Sequence, residues 1–168
     1  MKIADCRAIP LNLEMTLDAG ATSRRTNLSC VLVRLETDDG LVGTGFTAIT
    51  EEEVVAAAID QVAAPAVLGM DPMAHERIWE KLYWLLAPRG QSGYAMHAIA
   101  AIDLAVWDIK ARSLGLPLWR LLGGSRQRVP TYATFGFGFF DQDQLVAAAR
   151  DWAGRGFKRL KMTVGNHA

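Results

Sequence analysis

At 168 residues, 51% hydrophobic and 21% charged, the chain is long enough to bury a core and lacks the composition of disorder. Eighteen basic and eighteen acidic residues cancel to a formal net charge of zero, which argues against the basic footprint that nucleic acid or an anionic membrane selects and leaves a small molecule as the expected partner. Apolar runs are short and broken by charge, and the opening MKIADCRAIP holds no extended apolar region, so neither a membrane segment nor a signal peptide is expected and the cytoplasm is the expected location.

In chain order, the first predicted element is a strand from Ile3 to Leu13. Thr16 to Thr26 follows, rich in Gly, Ser, Thr and Arg and without periodicity, and is predicted to be a long loop. Loops of that length in compact domains often carry function. From Cys30 to Glu36, Val31, Val33 and Leu35 alternate with Leu32, Arg34 and Glu36, and Asp38-Asp39-Gly40 supplies turn chemistry before Leu41-Val42-Gly43. That pattern predicts a β-hairpin. Cys6 and Cys30 lie singly in these apolar stretches, with no cysteine or histidine at metal spacing, and read as buried free thiols.

Helices come next. Thr50 with Glu53 suggests a capping box ahead of Val54, Val55, Ala58, Ile59 and Val62 on one face, ending near Pro65. Asp71-Pro72 suggests an N-cap and first-turn proline for a helix carrying Trp79, Leu82, Tyr83 and Leu86, closed by Pro88 and Gly90. The strongest stripe is Ala98, Ile99, Ile102, Ala105, Val106 and Ile109, with Asp108 and Arg112 at i,i+4 spacing and Gly115 and Pro117 at the close. Trp79, Trp107 and Trp119 invite a ligand-stacking role, but aromatics at helical spacing read first as packing.

After Gly123-Gly124 the pattern becomes strand, helix, strand: Val129 to Phe135, then an Asp141/Gln144 capping box opening a helix with Leu145, Val146, Ala149, Trp152 and Ala153, then Phe157 to Val164. Such a βαβ unit is built parallel. A parallel sheet needs both faces covered, and a complete (β/α)8 barrel takes roughly 250 residues, so the sequence is expected to be one piece of a longer polypeptide or a truncated product. In the last strand Leu160, Met162 and Val164 share one face, and Arg159, Lys161 and Thr163 the other. If the apolar face meets the helices, Lys161 and Thr163 point into a barrel near its active end, where a buried ammonium requires an anionic partner. The alternative is a strand-end lysine reaching solvent.

The run Ala98-Ile99-Ala100-Ala101-Ile102-Asp103-Leu104-Ala105-Val106-Trp107-Asp108, continued by Lys110, Gly115-Leu116-Pro117-Leu118 and Leu121-Leu122-Gly123-Gly124, closely resembles the signature of the mandelate racemase and muconate lactonizing family of the enolase superfamily. The resemblance spans nearly the whole chain. It implies an α+β capping domain over residues 1–124, a three-stranded antiparallel sheet with helices, and over 125–168 the incomplete beginning of a C-terminal (β/α) barrel of the TIM type.

In that family the second barrel strand commonly ends in K-x-K before Val-Gly. Lys161-Met162-Thr163-Val164-Gly165 keeps the first lysine and replaces the second with threonine. By resemblance, Lys161 is the catalytic residue that neutralises the substrate carboxylate. Thr163 stands where a general base is usual, yet a threonine hydroxyl exchanges protons too poorly to act as one, which leaves it as a substrate contact. The expected reaction is therefore abstraction of the α-proton of a carboxylate substrate in a Mg²⁺-dependent sugar-acid dehydratase. Racemisation or epimerisation, cycloisomerisation, and a truncated fragment without activity remain alternatives.

The family's magnesium ligands sit on the third to fifth barrel strands, none of which this sequence contains. Its capping-domain loops choose substrates, which points to Thr16–Thr26 with Arg24 and Arg25, whose guanidinium groups grip carboxylates, and to the turn containing Ile49 and Thr50. Tyr132 and Thr134 share a face of the first barrel strand near Lys161, and His167 follows the second. Phe46 stands where many relatives have Glu after a Gly-x-Gly like Gly43-Thr44-Gly45, implying a different pocket wall. Expected partners are a small carboxylate substrate, the remainder of the barrel and further copies in a homo-oligomer.

Overall fold

The computed structural model describes residues 1–19, 22–86, 92–136, 138 and 140–163. They fall into two compact units, one made of Met1–Leu13 and Leu28–Gly124, the other of Glu14–Asn27 and the residues from Ser125 onward.

The sheet has strand order β1 (Ile3–Ala19), β2 (Thr22–Thr37) and β3 (Val42–Ala48). β2 and β3 pair antiparallel with Val33 opposite Gly45 and Leu35 opposite Gly43. The predicted alternation holds: Val31, Val33 and Leu35 are fully buried while Leu32, Arg34 and Glu36 face outward, partly exposed. Gly40 takes a positive φ of 85° in the turn, and Thr37 Oγ1 accepts the Leu41 N–H at 3.0 Å. Cys6 and Cys30 are buried free thiols.

Thr16–Ala19 and Thr22–Thr26 are strand rather than loop. β1 runs on to Ala19 and β2 already begins at Thr22, with Arg25 Nη1 donating to Glu14 Oε1 at 3.1 Å. Most residues of these strand ends, including Glu14, Thr16, Ser23 and Arg24, are exposed. Strand ends whose described residues are mostly exposed write no apolar alternation into the sequence, so pattern reading sees only polarity.

The first helical segment departs from expectation at both ends. Glu51 occupies the N-cap of α1 (Glu52–Ala58) without a side-chain bond, and Thr50 Oγ1 is buried without a partner, so the Thr50/Glu53 box does not form. Glu52 and Glu53 complement the helix dipole instead. Ile59–Ala63 is a π-helical turn in which the Ala64 N–H reaches Ile59 O. The widened turn shifts the side-chain phase: Val54 and Val62 face out, and Ala63, Ala64 and Val67 go in. Pro65 enters the first turn of α2 (Ala64–Val67), where its missing N–H costs nothing, so the helix passes the predicted stop.

Asp71 closes a tight turn by accepting the Met73 N–H at 2.9 Å, and α3 begins only at His75, extending to Leu86. Its buried stripe is Ile78, Leu82 and Leu86. The predicted stop at Pro88 and Gly90 lies outside the described residues. In α4 (Tyr94–Ser113) every residue of the predicted stripe is buried, and Arg112 pairs with Asp108 at 2.9 Å. The short α5 (Leu118–Leu121) follows.

Trp79, Trp107 and Trp119 are not core residues. Trp79 stacks on Tyr83 with centroids 5.0 Å apart, Trp107 lies 4.3 Å from His75, and Trp119 borders Gly124 beneath Arg120. Ile, Leu, Val and Ala fill the core, and none of these three rings is among its buried residues.

In the second unit β4 (Ala133–Phe135) and β5 (Leu160–Met162) pair parallel, joined through α6 (Gln142–Gly154). The Asp141/Gln144 capping box forms with both of its hydrogen bonds. Both strands are shorter than predicted: Val129 and Tyr132 are exposed ahead of β4, and Phe157 packs edge-on against Trp152 ahead of β5. The inner face of α6 is Ala148, Ala149 and Trp152, packed with Phe135 and Phe140, whereas Val146 and Ala153 face out. Val164 lies outside the described residues.

Candidate functional site

Parallel pairing sets Thr134 opposite Lys161 and Phe135 opposite Met162. Met162 approaches Gly136 and Leu145 of α6, so the alternate residue Lys161 is on the face away from that helix. Its Nζ lies 5.9 Å from the centroid of the Tyr132 ring, within cation–π range. Thr163 donates its backbone N–H to Phe135 O at 3.3 Å, which fixes the strand just past β5. Tyr132, Thr134, Lys161 and Thr163 are thus brought together, and all four are exposed. Among the described residues no carboxylate pairs with Lys161. The result is an accessible ammonium beside a phenol and a hydroxyl, suited to an anionic oxygen ligand.

Arg24 and Arg25 also belong to the second unit. Arg25 forms an exposed ion pair with Glu14, a kind of contact worth at most about 1 kcal/mol, so a competing carboxylate can take it over. Ile49 and Thr50 belong to the first unit. Ile49 has φ 61° and is 85% exposed, a left-handed conformation that a β-branched side chain adopts only under strain. It is pinned by its N–H to Ser29 O at 2.9 Å, and Ser29 Oγ donates to Thr50 O. Next to them Asn12 Nδ2 donates to Glu52 Oε1 at 2.9 Å, and hydrogen bonds from Ser29 and Asn12 hold the Glu52 carboxyl below its ordinary range. Strained backbone positions held by their neighbours cluster at functional sites in proteins generally. The sequence pointed to this turn only through the family resemblance, which makes it one of the capping-domain loops.

Two structural roles escaped sequence reading. Gly43 and Gly45 let β3 lie against the α4 backbone, where a Cβ on Gly45 would meet Ala101 O at 1.7 Å. The Asp108 carboxylate accepts the Thr44 N–H at 2.9 Å and locks the two elements together. Between α3 and α4, Lys110 Nζ donates to His75 Nδ1 at 3.1 Å and lies over Trp107, and burial raises the nearby Asp103 carboxyl, an effect His75 partly offsets. Phe46 is half-exposed on β3 opposite Leu32. His167 lies outside the described residues.

Among the described residues no three His, Cys, Asp or Glu side chains gather to hold a metal ion. They do not by themselves fit octahedral Mg²⁺, which takes several oxygen ligands. No helix among them is long and apolar enough to cross a membrane.

The family described as mandelate racemase / muconate lactonizing enzyme, N-terminal domain, matches residues 9–123. The chain belongs to this family. Within the mandelate racemase and muconate lactonizing family it is 34% identical, over 96% of its length and 45% of the relative's, to a 3,6-anhydro-alpha-L-galactonate cycloisomerase of Streptomyces coelicolor. Its structure matches a member of the enolase superfamily from Polaromonas sp. JS666 with a TM-score of 0.82 and 31% identity, covering 99% of this chain and 45% of that one. L-talarate dehydratase from the same organism, complexed with Mg and L-glucarate, matches with a TM-score of 0.79 and 32% identity over 99% of this chain and 45% of that one. The antiparallel sheet with its helices is the family's capping domain, and the chain spans less than half the length of these relatives.

Proposed function

We propose that this chain supplies the capping domain, residues 1–124, and the opening of the barrel, from residue 125, of an enzyme that abstracts the α-proton of a sugar-acid carboxylate and eliminates water. The observation that carries this reading is the placement of Lys161 beside Tyr132 and Thr134 with no carboxylate partner among the described residues. An ammonium in that setting binds a substrate carboxylate, and it stabilises the charge that grows on the same oxygens as the α-proton leaves. Thr163 donates or accepts a hydrogen bond to a substrate hydroxyl and moves no proton. The base then acts from elsewhere in the barrel, for which a His-Asp pair is the fitting chemistry. Arg24, Arg25, Ile49 and Thr50 select the substrate. We assign Mg²⁺ to carboxylates of the remaining barrel strands. A second reading, cycloisomerisation of a sugar acid, is favoured by the identity shared with the cycloisomerase; it uses Lys161 in the same way.

The test is a pair of variants in the full-length enzyme. Lys161→Ala removes stabilisation that is larger in the transition state than in the ground state, so kcat and kcat/KM both fall, by about 10²-fold or more. Thr163→Ala loses one neutral hydrogen bond, a defect of about tenfold or less. If Thr163→Ala abolishes activity while Lys161→Ala leaves kcat intact, the assignment of both residues is wrong.

A further inference from the structure

A groove of about 690 Å³ runs along the outer side of α3, within the first unit and independent of the Lys161 site. One wall carries Arg77, Glu80, Lys81 and Trp84 of α3, and the other carries Lys2 and the turn at Asp71. Its size is that of a pocket for a small organic ligand.

Three observations specify the chemistry of that ligand. First, Lys2, Arg77 and Lys81 have no carboxylate within ion-pair distance among the described residues, although Glu80 is only three positions from Arg77. Of the two groove acids, Asp71 is already engaged by the Met73 N–H. Second, α3 sets like charges at i,i+4, Arg77 with Lys81 and Glu76 with Glu80, the reverse of the pairing that stabilises exposed helices and the reverse of Asp108–Arg112 and Asp151–Arg155 in this same chain. An anion bridging Arg77 and Lys81 turns that repulsion into attraction. Third, Trp84 borders the groove with 69% of its surface exposed, one turn beyond Lys81, and offers a flat apolar face for a planar ring.

We propose that this groove binds a small ligand in which a planar ring carries a phosphate-type anion, the chemistry of a nucleoside phosphate. The anion is held by Arg77, Lys81 and Lys2, and the ring stacks on Trp84.

Calorimetric titration of the chain at low ionic strength with ADP, pyrophosphate and adenosine tests the proposal. ADP is expected to bind saturably with a dissociation constant below ~1 mM, pyrophosphate more weakly and adenosine more weakly still. The double variant Arg77→Gln/Lys81→Gln should weaken ADP by at least about tenfold without lowering the melting temperature of the free chain, because it removes a like-charge pair. Trp84→Leu should weaken ADP several-fold and leave pyrophosphate unchanged. Absence of saturable ADP binding, or ADP binding that survives the double variant undiminished, overturns it.

Discussion

Gly45→Ala is the substitution this fold should tolerate least. β3 lies so close to α4 that an added Cβ at Gly45 would stand 1.7 Å from Ala101 O and 2.8 Å from Ala105 N. Carbon and oxygen need about 3.3 Å, so the shortfall is about 1.6 Å. Both atoms it meets are backbone in the middle of a buried helix, and relief requires β3 and α4 to separate, opening the core to which Val33, Leu35, Ile102 and Ala105 all belong. At Gly43 the close backbone atoms are Ala105 O at 2.4 Å and Ile109 N at 3.0 Å, and the third close atom is in the Ile109 side chain at 2.5 Å, which can partly yield. Gly40 meets nothing within 4 Å, and only its φ of 85° resists a side chain. Overpacking typically costs about 1–3 kcal/mol and more when nothing can move, whereas a left-handed residue costs about 1–2 kcal/mol. Expected losses are therefore ~3 kcal/mol or more for Gly45→Ala, with Gly43→Ala below it and Gly40→Ala least. Urea unfolding followed by circular dichroism measures all three. A Gly45→Ala chain less damaged than Gly40→Ala would refute the close approach of β3 and α4.

Asp103→Asn should stabilise the chain at neutral pH, because burial raises the Asp103 carboxyl above its ordinary range. A raised pKa contributes stability that is full below the unfolded value and lost as pH rises through the folded one. The gain should therefore vanish in acid below the carboxylate range, and an equal gain in melting temperature at both pH values would count against it. Ile49→Asn keeps a residue that tolerates the left-handed region, and should stabilise the chain by ~1 kcal/mol; a loss of stability in thermal melts would deny that the turn is strained. Asp141→Ala removes the acceptor of the Gln144 N–H and should cost about 1 kcal/mol, seen as a lower urea midpoint.

The α4 stripe and the β2–β3 alternation were legible because each element buries one side only, and a single period of 3.6 or 2 then records the core. The Asp141 box was legible because both partners lie within one turn. The π turn was not: inserting a wide turn at Ile59–Ala63 depends on what Ala63, Ala64 and Val67 pack against, and no local signal in IDQVA announces it. Strand ends near Thr16 and Thr26 were hidden by the opposite condition, since no described residue there is fully buried. At the site, alternation set Lys161 opposite in sense to Met162, and the family signature supplied its meaning. The proximity of the Tyr132 ring and the strain at Ile49 required coordinates, because both depend on backbone placement that residue type does not encode.

Cys6, on the inner side of β1, makes the sheet its own reporter. Burial, with Asp60 and Asp5 nearby, pushes its thiol up to about 12, so at neutral pH the folded chain holds almost none of the thiolate that alkylating reagents attack. Once β1 detaches, the same sulfur titrates like any exposed cysteine and reacts readily. Modification under native conditions therefore counts opening events of the sheet edge, and a chain with only Cys6 retained would report that opening through its own thiol, with no label attached beforehand.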